Sequence, residues 1–416
     1  MDYGGKKVSL STRHLYGPET QRALEVFGGS PPLSSRPELV RALAQVKAAA
    51  AEANAVAGVL DPAIAGAIVE AAEEVAAGQW DDQFPLALVH GGGGTATNLA
   101  VDEVLAARAS ELAGEAVHPL DHVNRSQSTN DVYPTALAVA AIDGSRAALA
   151  GLEFVAAALD DLAAAAGDLQ RLGRTCLRDA LPLPVASYHG AQARAVRRGA
   201  AQLERAVAGL YEVPLGGTAV GTGFGAPAGY RERAVERLAE RTGVPLRPAE
   251  DSFDALAHLD PLLGVATAAA GAAVTLGKIA ADLRLLGSGP IGGIGEVRLP
   301  AVQRGSSMMP GKINPVVPEH VIQASFEIRG AAHVVELAVA AGELDVNVME
   351  TVIARYLLEA LARLGSAAET FAAHCLRGLE WDVEVVERHL AGSLESAVEL
   401  AAERGHQTVD PPLYDR

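Results

Sequence analysis

Polar side chains that could bind a small anion lie in four short stretches of this chain. Hydroxyls, amides and one lysine dominate these stretches, while redox-active and metal-binding groups are few. A carboxylate accepts several hydrogen bonds and a lysine adds positive charge, so the set suits a small dicarboxylate, without a cofactor or metal. The residues are Thr95 and Asn98; Ser128, Thr129 and Asn130; Thr175; and Ser306, Ser307, Lys312 and Asn314.

Three partial matches to motifs of other chemistry each lack a feature that the motif requires. The stretch GSSMMPGKINPVVPE (Gly305–Glu319) has the glycines and lysine of a phosphate loop, but Ile313 follows the lysine where that loop needs Ser or Thr. A GxGxxG match at Gly287–Gly292 follows a predicted helix rather than a strand, which argues against a dinucleotide site. His118 and His122 have a zinc-like spacing without companion ligands, so hydrogen bonding is the better interpretation.

The stretch Gly305–Glu319 closely resembles the GSSxMPxKxNP signature of the aspartase/fumarase superfamily. Further blocks have counterparts there in the same order: DQFPL, GGGGTATN, NRSQSTNDVYPTA, GRTCLRDALPL, LGGTAVGTG, LRLLGSGP and ELDVNVMETVI. The resemblance covers most of the chain. It implies reversible elimination from a succinyl-type compound through an aci-carboxylate dianion, which needs a base at the carbon and preorganised donors for the growing charge.

The resemblance also implies a role for each residue of the set. Ser306 would be the general base, and its alkoxide would need backbone amides and nearby positive charge. Asn98 has the alternative role of a helix cap that opens a helix over Leu99–Leu112. The implied substrate contacts are Lys312, Asn314 and Thr175 with one carboxylate; Thr95, Ser128, Thr129 and Ser307 with the other; and Asn130 with the leaving group.

The substrate is less clear, because the motifs conflict. VVPE and NVME resemble aspartase, whereas DQFPL, LGGTAVGTG and FDALAHLD resemble fumarase. Fumarases place a histidine after the residue that corresponds to Thr175 and pair it with the acid that corresponds to Glu319. Cys176 stands there, and a thiol cannot copy an imidazole–carboxylate pair. A small buried packing residue is another interpretation of Cys176.

We therefore expect a carbon–nitrogen lyase that converts L-aspartate to fumarate and ammonia. Alternatives are a fumarate hydratase, which is a carbon–oxygen lyase, and a specialised lyase for a modified aspartate or a nitrosuccinate-like substrate. An alternative of a different class is a catalytically inactive relative that serves as a scaffold. Retention of Ser306, Lys312, Asn314 and the Ser128–Asn130 triplet favours activity.

Long helices must position these stretches. Apolar residues recur at three- and four-residue spacings in segments rich in alanine and leucine, which predicts an all-α protein. The resemblance implies a three-part fold around a bundle of long helices, in a homotetramer whose active sites each use three subunits. We expect domains at 1–127, 128–381 and 382–416, the last short. The predicted helices are Pro37–Ala57, Pro62–Ala77, Ala136–Ala166, Ser187–Leu210 and Asp251–Leu286.

Composition limits the remaining possibilities. A formal net charge of −17 argues against nucleic-acid binding, and two cysteines fit a reducing compartment. Residues 1–17 lack the apolar core of a secretory signal. The uncharged run Pro261–Gly277 is shorter than the roughly 20 residues that span a bilayer, so we interpret it as a buried helix. A cytoplasmic enzyme without membrane or nucleic-acid partners is expected.

Overall fold

The computed structural model describes residues 14–408, and helices dominate it. The all-α prediction is confirmed. The N-terminal stretch without a signal-like core lies almost entirely outside these residues, as does most of the C-terminal QTVDPPLYDR. The helices are α1 (Pro18–Val26), α2 (Pro37–Val56), α3 (Pro62–Ala76), α4 (Thr95–Ala113), α5 (Thr129–Ala165), α6 (Val185–Ala208), α7 (Tyr230–Thr242), α8 (Ser252–Ala257), α9 (Asp260–Leu286), α10 (Val316–Ala340), α11 (Glu350–His374), α12 (Val383–Leu390) and α13 (Glu395–Arg404).

Short β-strands lie between some of the helices along the chain. They form three two-stranded pairs: antiparallel β1–β2, parallel β3–β4 and antiparallel β5–β6. Their bounds are β1 (Gln170–Thr175), β2 (Arg178–Pro184), β3 (Glu212–Val213), β4 (Arg247–Pro248), β5 (Val297–Arg298) and β6 (Glu380–Trp381).

The predicted helix over Asp251–Leu286 is interrupted in the structure. Helix α8 ends at Ala257, His258 is extended (φ −119°, ψ 113°), and α9 begins at Asp260. Pro261 accounts for the break, since an interior proline lacks an N–H donor and clashes with the carbonyl four residues earlier. Helix α9 is long and apolar enough to cross a membrane by length and composition (mean hydropathy 1.6), a test that core helices of globular proteins also pass.

The chain divides into two compact units, each made of three stretches. The first comprises the described residues up to Arg146, Arg205–Thr267 and Gly330–Leu361. In it α2 packs against α3 and α7, and α3 packs against α4. Alanine and leucine fill these contacts, because small side chains let the helices approach closely. The predicted division at 127 and 381 stays a prediction.

The second unit comprises Ala147–Glu204, Ala268–Arg329 and the described residues from Ala362 onward. The β1–β2 hairpin lies in this unit, and α12 packs against its first strand. Strand β6 pairs with β5, which brings the segment before α12 to the residues that precede the Gly305–Glu319 stretch. This unit therefore contains the predicted residues Thr175 and Ser306, while Thr95 and Ser128–Asn130 belong to the first unit.

Candidate active site

Ser128, Thr129 and Asn130 lie at the start of α5, where a reciprocal cap fixes them. The Ser128 Oγ accepts from the Asn130 N–H at 3.2 Å, and the Asp131 Oδ1 accepts from the Ser128 N–H at 2.9 Å. This is a capping box with aspartate at its third helical position. The Asn130 side-chain amide donates to the Ala219 carbonyl at 2.8 Å, so the predicted contact to a leaving group competes with a backbone contact.

Asp131 is a buried residue that the sequence analysis missed. Its Oδ2 accepts from the N–H groups of Gly216 and Thr218 at 2.9 and 3.0 Å. Burial raises the pKa of this carboxyl to about 6, against three backbone N–H donors and Lys47, which lower it. Asp131 therefore ties the predicted substrate residues Ser128–Asn130 to the glycine-rich LGGTAVGTG block. The pattern Ser-x-x-Asp before an apolar run was the available signal.

Asn98 belongs to a second buried polar network. It lies within α4 rather than ahead of it, so the alternative role as a cap of Leu99–Leu112 is wrong. Its amide donates to Asp102 at 3.0 Å and to the Asn124 Oδ1 at 3.2 Å. Lys47, which is fully buried, contacts Asp102 at 2.8 Å and Asn124 at 2.7 Å. Asn124 leads into the Ser128 segment, so this network supports the same stretch from the other side.

Burial dominates the electrostatics of this network. It lowers the pKa of Lys47 and raises that of Asp102 to about 6, and their mutual attraction opposes both shifts. A buried ion pair is stable only when each partner finds compensating contacts. The amides of Asn98 and Asn124 provide them here. Lys47 and Asp102 therefore act as structural supports of the Ser128 segment, and nothing in the sequence motifs identified them.

Thr95 follows the four-glycine run as the first residue of α4. It is exposed, and its Oγ1 donates to the Gly92 carbonyl at 2.7 Å. Gly94 has a left-handed conformation (φ 81°), and a Cβ there would lie 2.4 Å from the ring of Tyr133. This close approach explains why the run ends in glycine. The loop is thus packed on α5, whose first residues are the predicted substrate contacts.

Ser306 lies in a tight loop that is closed by its own backbone. Its Oγ accepts from the N–H groups of Met308 and Met309 at 3.1 and 2.9 Å. Two amides that point at one hydroxyl oxygen stabilise negative charge on it. The arrangement supplies the backbone donors that the sequence analysis expected for an alkoxide. Ser306 is half-buried, while Ser307 beside it is exposed.

Asn314 closes the other end of this loop. Its amide donates to the Gly305 carbonyl at 2.8 Å, and the Gly305 N–H donates to the Lys312 carbonyl at 2.8 Å. Lys312 itself is exposed, which leaves its ammonium available to an anion. Asn314 thus has a structural contact in addition to the substrate contact that we predicted.

Thr175 and Cys176 lie at the turn of the β1–β2 hairpin. Cys176 and Leu177 both have left-handed backbone conformations (φ 53° and 60°), which non-glycine residues rarely adopt. Strained backbone of this kind concentrates at functional sites. Cys176 is exposed, so the alternative of a buried packing residue is wrong. Arg174, just before the turn, forms two hydrogen bonds to the buried Glu296 at 2.6 and 3.1 Å.

Glu319 lies in the first turn of α10 and pairs with an arginine. The Arg284 guanidinium lies 3.3 Å from its carboxylate, and both side chains are partly exposed. In fumarases, as the resemblance implies, the partner of this acid is a histidine at the position of Cys176. The structure instead gives Glu319 a cation from α9. Among residues 14–408, no cluster of three or more His, Cys, Asp or Glu side chains could hold a metal ion.

The fold and these segments define an all-helical lyase, and comparison with known proteins agrees. The family model described as "Lyase" matches residues 16–330. Fumarate hydratase class II of Thermosynechococcus vestitus is 42% identical over 93% of this chain and 84% of its own length. The Thermus thermophilus protein of that name is 41% identical over 92% of this chain and 84% of its own. The chain belongs to this lyase family, and the aspartase/fumarase resemblance is confirmed.

Solved structures give the same result. A class II fumarase from Schistosoma mansoni aligns with a TM-score of 0.92 and 31% identity, over 95% of this chain and 88% of its own. A fumarate lyase:delta crystallin from Brucella melitensis, bound to cobalt, also has a TM-score of 0.92, with 38% identity over 95% of this chain and 87% of its own. These alignments confirm that the chain has the predicted helical fold of the fumarate lyases.

The comparisons correct the predicted reaction. We expected an ammonia-lyase acting on L-aspartate, and hence a carbon–nitrogen lyase. The relatives at about 40% identity are fumarate hydratases, which act on a carbon–oxygen bond. The ammonia-lyase prediction is therefore wrong. That prediction rested on the aspartase-like VVPE and NVME blocks and on Cys176, which stands in place of the fumarase histidine.

Proposed function

We propose that this protein is a fumarate hydratase, which adds water to fumarate to give L-malate and catalyses the reverse elimination. The observation that carries the proposal is identity of about 40% over more than 90% of the chain with fumarate hydratases class II. The geometry of the Ser306 loop supports it, because it provides a base with amide donors already aimed at its oxygen.

In the elimination direction, Ser306 removes the proton from the carbon beside one carboxylate of malate. A serine hydroxyl is a weak base, and the N–H groups of Met308 and Met309 favour its ionised form. Lys312 adds positive charge on the same loop. Together they lower the cost of holding an alkoxide at neutral pH, which is the first requirement of the reaction.

The aci-carboxylate dianion is the second requirement. Thr95, Ser128, Thr129 and Ser307 would donate to the carboxylate that gains charge. Lys312, Asn314 and Thr175 would hold the other carboxylate, with Asn130 at the departing hydroxyl. The buried contacts of Asp131 preorganise the Ser128–Asn130 part of this set, so little reorganisation is needed as charge develops.

These donors belong to distant segments of the chain, and a homotetramer would bring them together. We infer active sites that each take segments from three subunits, as the family resemblance implies. We also infer a soluble, cytoplasmic enzyme that needs neither cofactor nor metal. Sedimentation of the purified protein tests the assembly, and a stable monomer with full activity would contradict it.

Ultraviolet absorbance tests the reaction itself, since fumarate absorbs and malate does not. Pure protein mixed with L-malate should generate fumarate, and protein mixed with fumarate should consume it to the same equilibrium ratio. Treatment with a chelator beforehand should leave the rate unchanged. Absence of conversion in both directions, with the protein folded, would contradict the proposal and favour an inactive relative.

A further inference from the structure

The segment Glu380–Leu390 contains β6 and α12. Its residue His389 belongs to a polar cluster with Glu296 and Arg174, the Glu296 cluster, which none of the predicted roles explains. Its His389 Nδ1 lies 2.8 Å from the Oε1 of Glu296. Glu296 is fully buried, and the same carboxylate receives both hydrogen bonds from Arg174. Arg174 immediately precedes Thr175 and Cys176. One buried carboxylate therefore connects this segment to the strand that carries the turn.

The hydrogen bond has a defined direction. A carboxylate only accepts, so the proton lies on Nδ1 of His389 and is donated to Glu296. Arg174 donates to both oxygens of Glu296, and His389 adds a third donor to Oε1, 3.4 Å from the Arg174 guanidinium nitrogen that donates to the same oxygen. A buried carboxylate held by three donors has little freedom to rotate. The guanidinium of Arg174 is then fixed as well.

Both ends of α12 contact Glu296. The N–H of Asp382, the N-cap of the helix, donates to the Glu296 carbonyl at 2.9 Å. His389 lies seven residues later, two helical turns along the same face. Asp382 also forms an ion pair with Arg298 at 2.5 Å. These contacts fix the start of α12 against residues 296–298. The orientation of the helix then places His389 beside the Glu296 carboxylate.

The backbone of the turn that the Glu296 cluster supports is strained. Cys176 and Leu177 have positive φ angles, which the hairpin must hold in place. Glu296 fixes Arg174 two residues before the first of them. We propose that His389 is a positioning residue for the Thr175–Cys176 turn, acting through Glu296 and Arg174. The proposal rests on the proposed function only in giving Thr175 a substrate contact.

Two variants of matched size test the hydrogen bond. His389→Asn keeps an N–H donor near the position of Nδ1, and His389→Leu fills similar space without one. His374→Ala, an exposed histidine at the end of α11, is the control. With Leu, we expect the KM for malate to rise roughly tenfold, with a smaller change in kcat, because the turn contributes to binding and not to proton removal. The Asn variant and the control should keep KM within about twofold.

A second readout needs no activity. Cys176 is exposed and Cys375 is buried, so a thiol-reactive nitroxide should attach at Cys176. Its electron paramagnetic resonance spectrum reports the mobility of the turn. We expect a more mobile spectrum for His389→Leu and a wild-type spectrum for His389→Asn. A Cys176→Ser variant should not take up the label.

The outcomes separate the two proposals. Wild-type protein that converts neither malate nor fumarate contradicts the proposed function, and the nitroxide spectra then test the positioning role alone. A Leu variant with unchanged KM and unchanged mobility would overturn the role of His389. An Asn variant that behaves like Leu would also overturn it, because it would show that the imidazole acts by packing and not by its hydrogen bond.

Discussion

Two regions with predicted catalytic roles are built in different ways. The binding segment, Ser128–Asn130, is tied down by Asp131, and the buried Lys47–Asp102 pair supports the stretch before it. The base loop, Gly305–Asn314, is largely exposed and is closed by its backbone and the amide of Asn314. The binding segment depends on buried charged side chains, whereas hydrogen bonds of uncharged groups close the base loop.

This difference fits the two tasks. Donors that stabilise a dianion work best when they are already in place, and buried networks provide that rigidity at a cost in desolvation. A base that must reach the substrate and exclude water benefits from a loop that can move. We therefore expect substitutions in the base loop to change rates with little effect on folding. Substitutions beneath the binding segment should change stability first.

The largest expected effect is that of Ser306→Ala in the base loop. Removing the base should lower kcat by about 10²–10⁴-fold, the range for acid–base catalysis. Stability should fall by no more than about 1–2 kcal/mol, because the two N–H groups that lose the Ser306 Oγ belong to exposed residues and can donate to water instead. Ser307→Ala, which removes a proposed donor to the carboxylate and leaves the base in place, should lower kcat much less than Ser306→Ala. Fumarate absorbance measures both, and full activity in Ser306→Ala would refute its role as the base.

Beneath the binding segment, Lys47→Met should destabilise the fold strongly. It leaves Asp102 buried without its cation, which costs about 3–5 kcal/mol in comparable cases. Adding Asp102→Leu removes the orphaned carboxyl and should restore part of the loss. Denaturant midpoints of the three proteins measure this. A single variant as stable as wild type would show that the pair does not support the segment.

The pH dependence of stability should depend on Asp131. Its folded pKa of about 6 lies above the ordinary value of 3.8, so the folded state favours the protonated form. Its stabilising contribution is present at low pH and is lost as pH rises towards the folded pKa. Relative to Asp131→Asn, wild type should lose roughly 2 kcal/mol between about pH 4.5 and about pH 7. A difference that does not vary with pH would contradict the shift.

Local features and family motifs could be predicted from the sequence. Helices α2 and α3 were predicted to within a residue, because each begins at a proline and has a regular apolar pattern. The break at His258 was missed, since the apolar pattern continues through it. The Ser128–Asn130 triplet and the Ser306 loop came from the family resemblance, which transfers positions but not contacts.

The supporting residues could not be found in this way. Asp131 meets Gly216 across 85 positions, and Arg174 meets Glu296 across 122. Contacts between such distant positions produce no periodic pattern in the sequence. A buried ionisable residue also cannot be told from a surface charge by its residue type. The same limit applies to Glu319, whose contact with Arg284 depends on two helices. The sequence therefore revealed candidate contacts to the substrate better than the residues that hold them.

The smallest expected effect returns to the base loop, at Gly305. A Cβ there would lie 2.7 Å from the Asn314 N and 2.8 Å from the Lys312 carbonyl oxygen, both backbone atoms that cannot swing away. Gly305→Ala should force the two ends of the loop apart and weaken the bonds that close it. We expect kcat/KM to fall roughly tenfold, about 1.4 kcal/mol, with little loss of stability. Gly292→Ala, at a position with open space, is the matched control. If Gly305→Ala instead destabilised the protein as much as Lys47→Met, the base loop would be as integral to the fold as the binding segment, and the contrast between the two regions would fail.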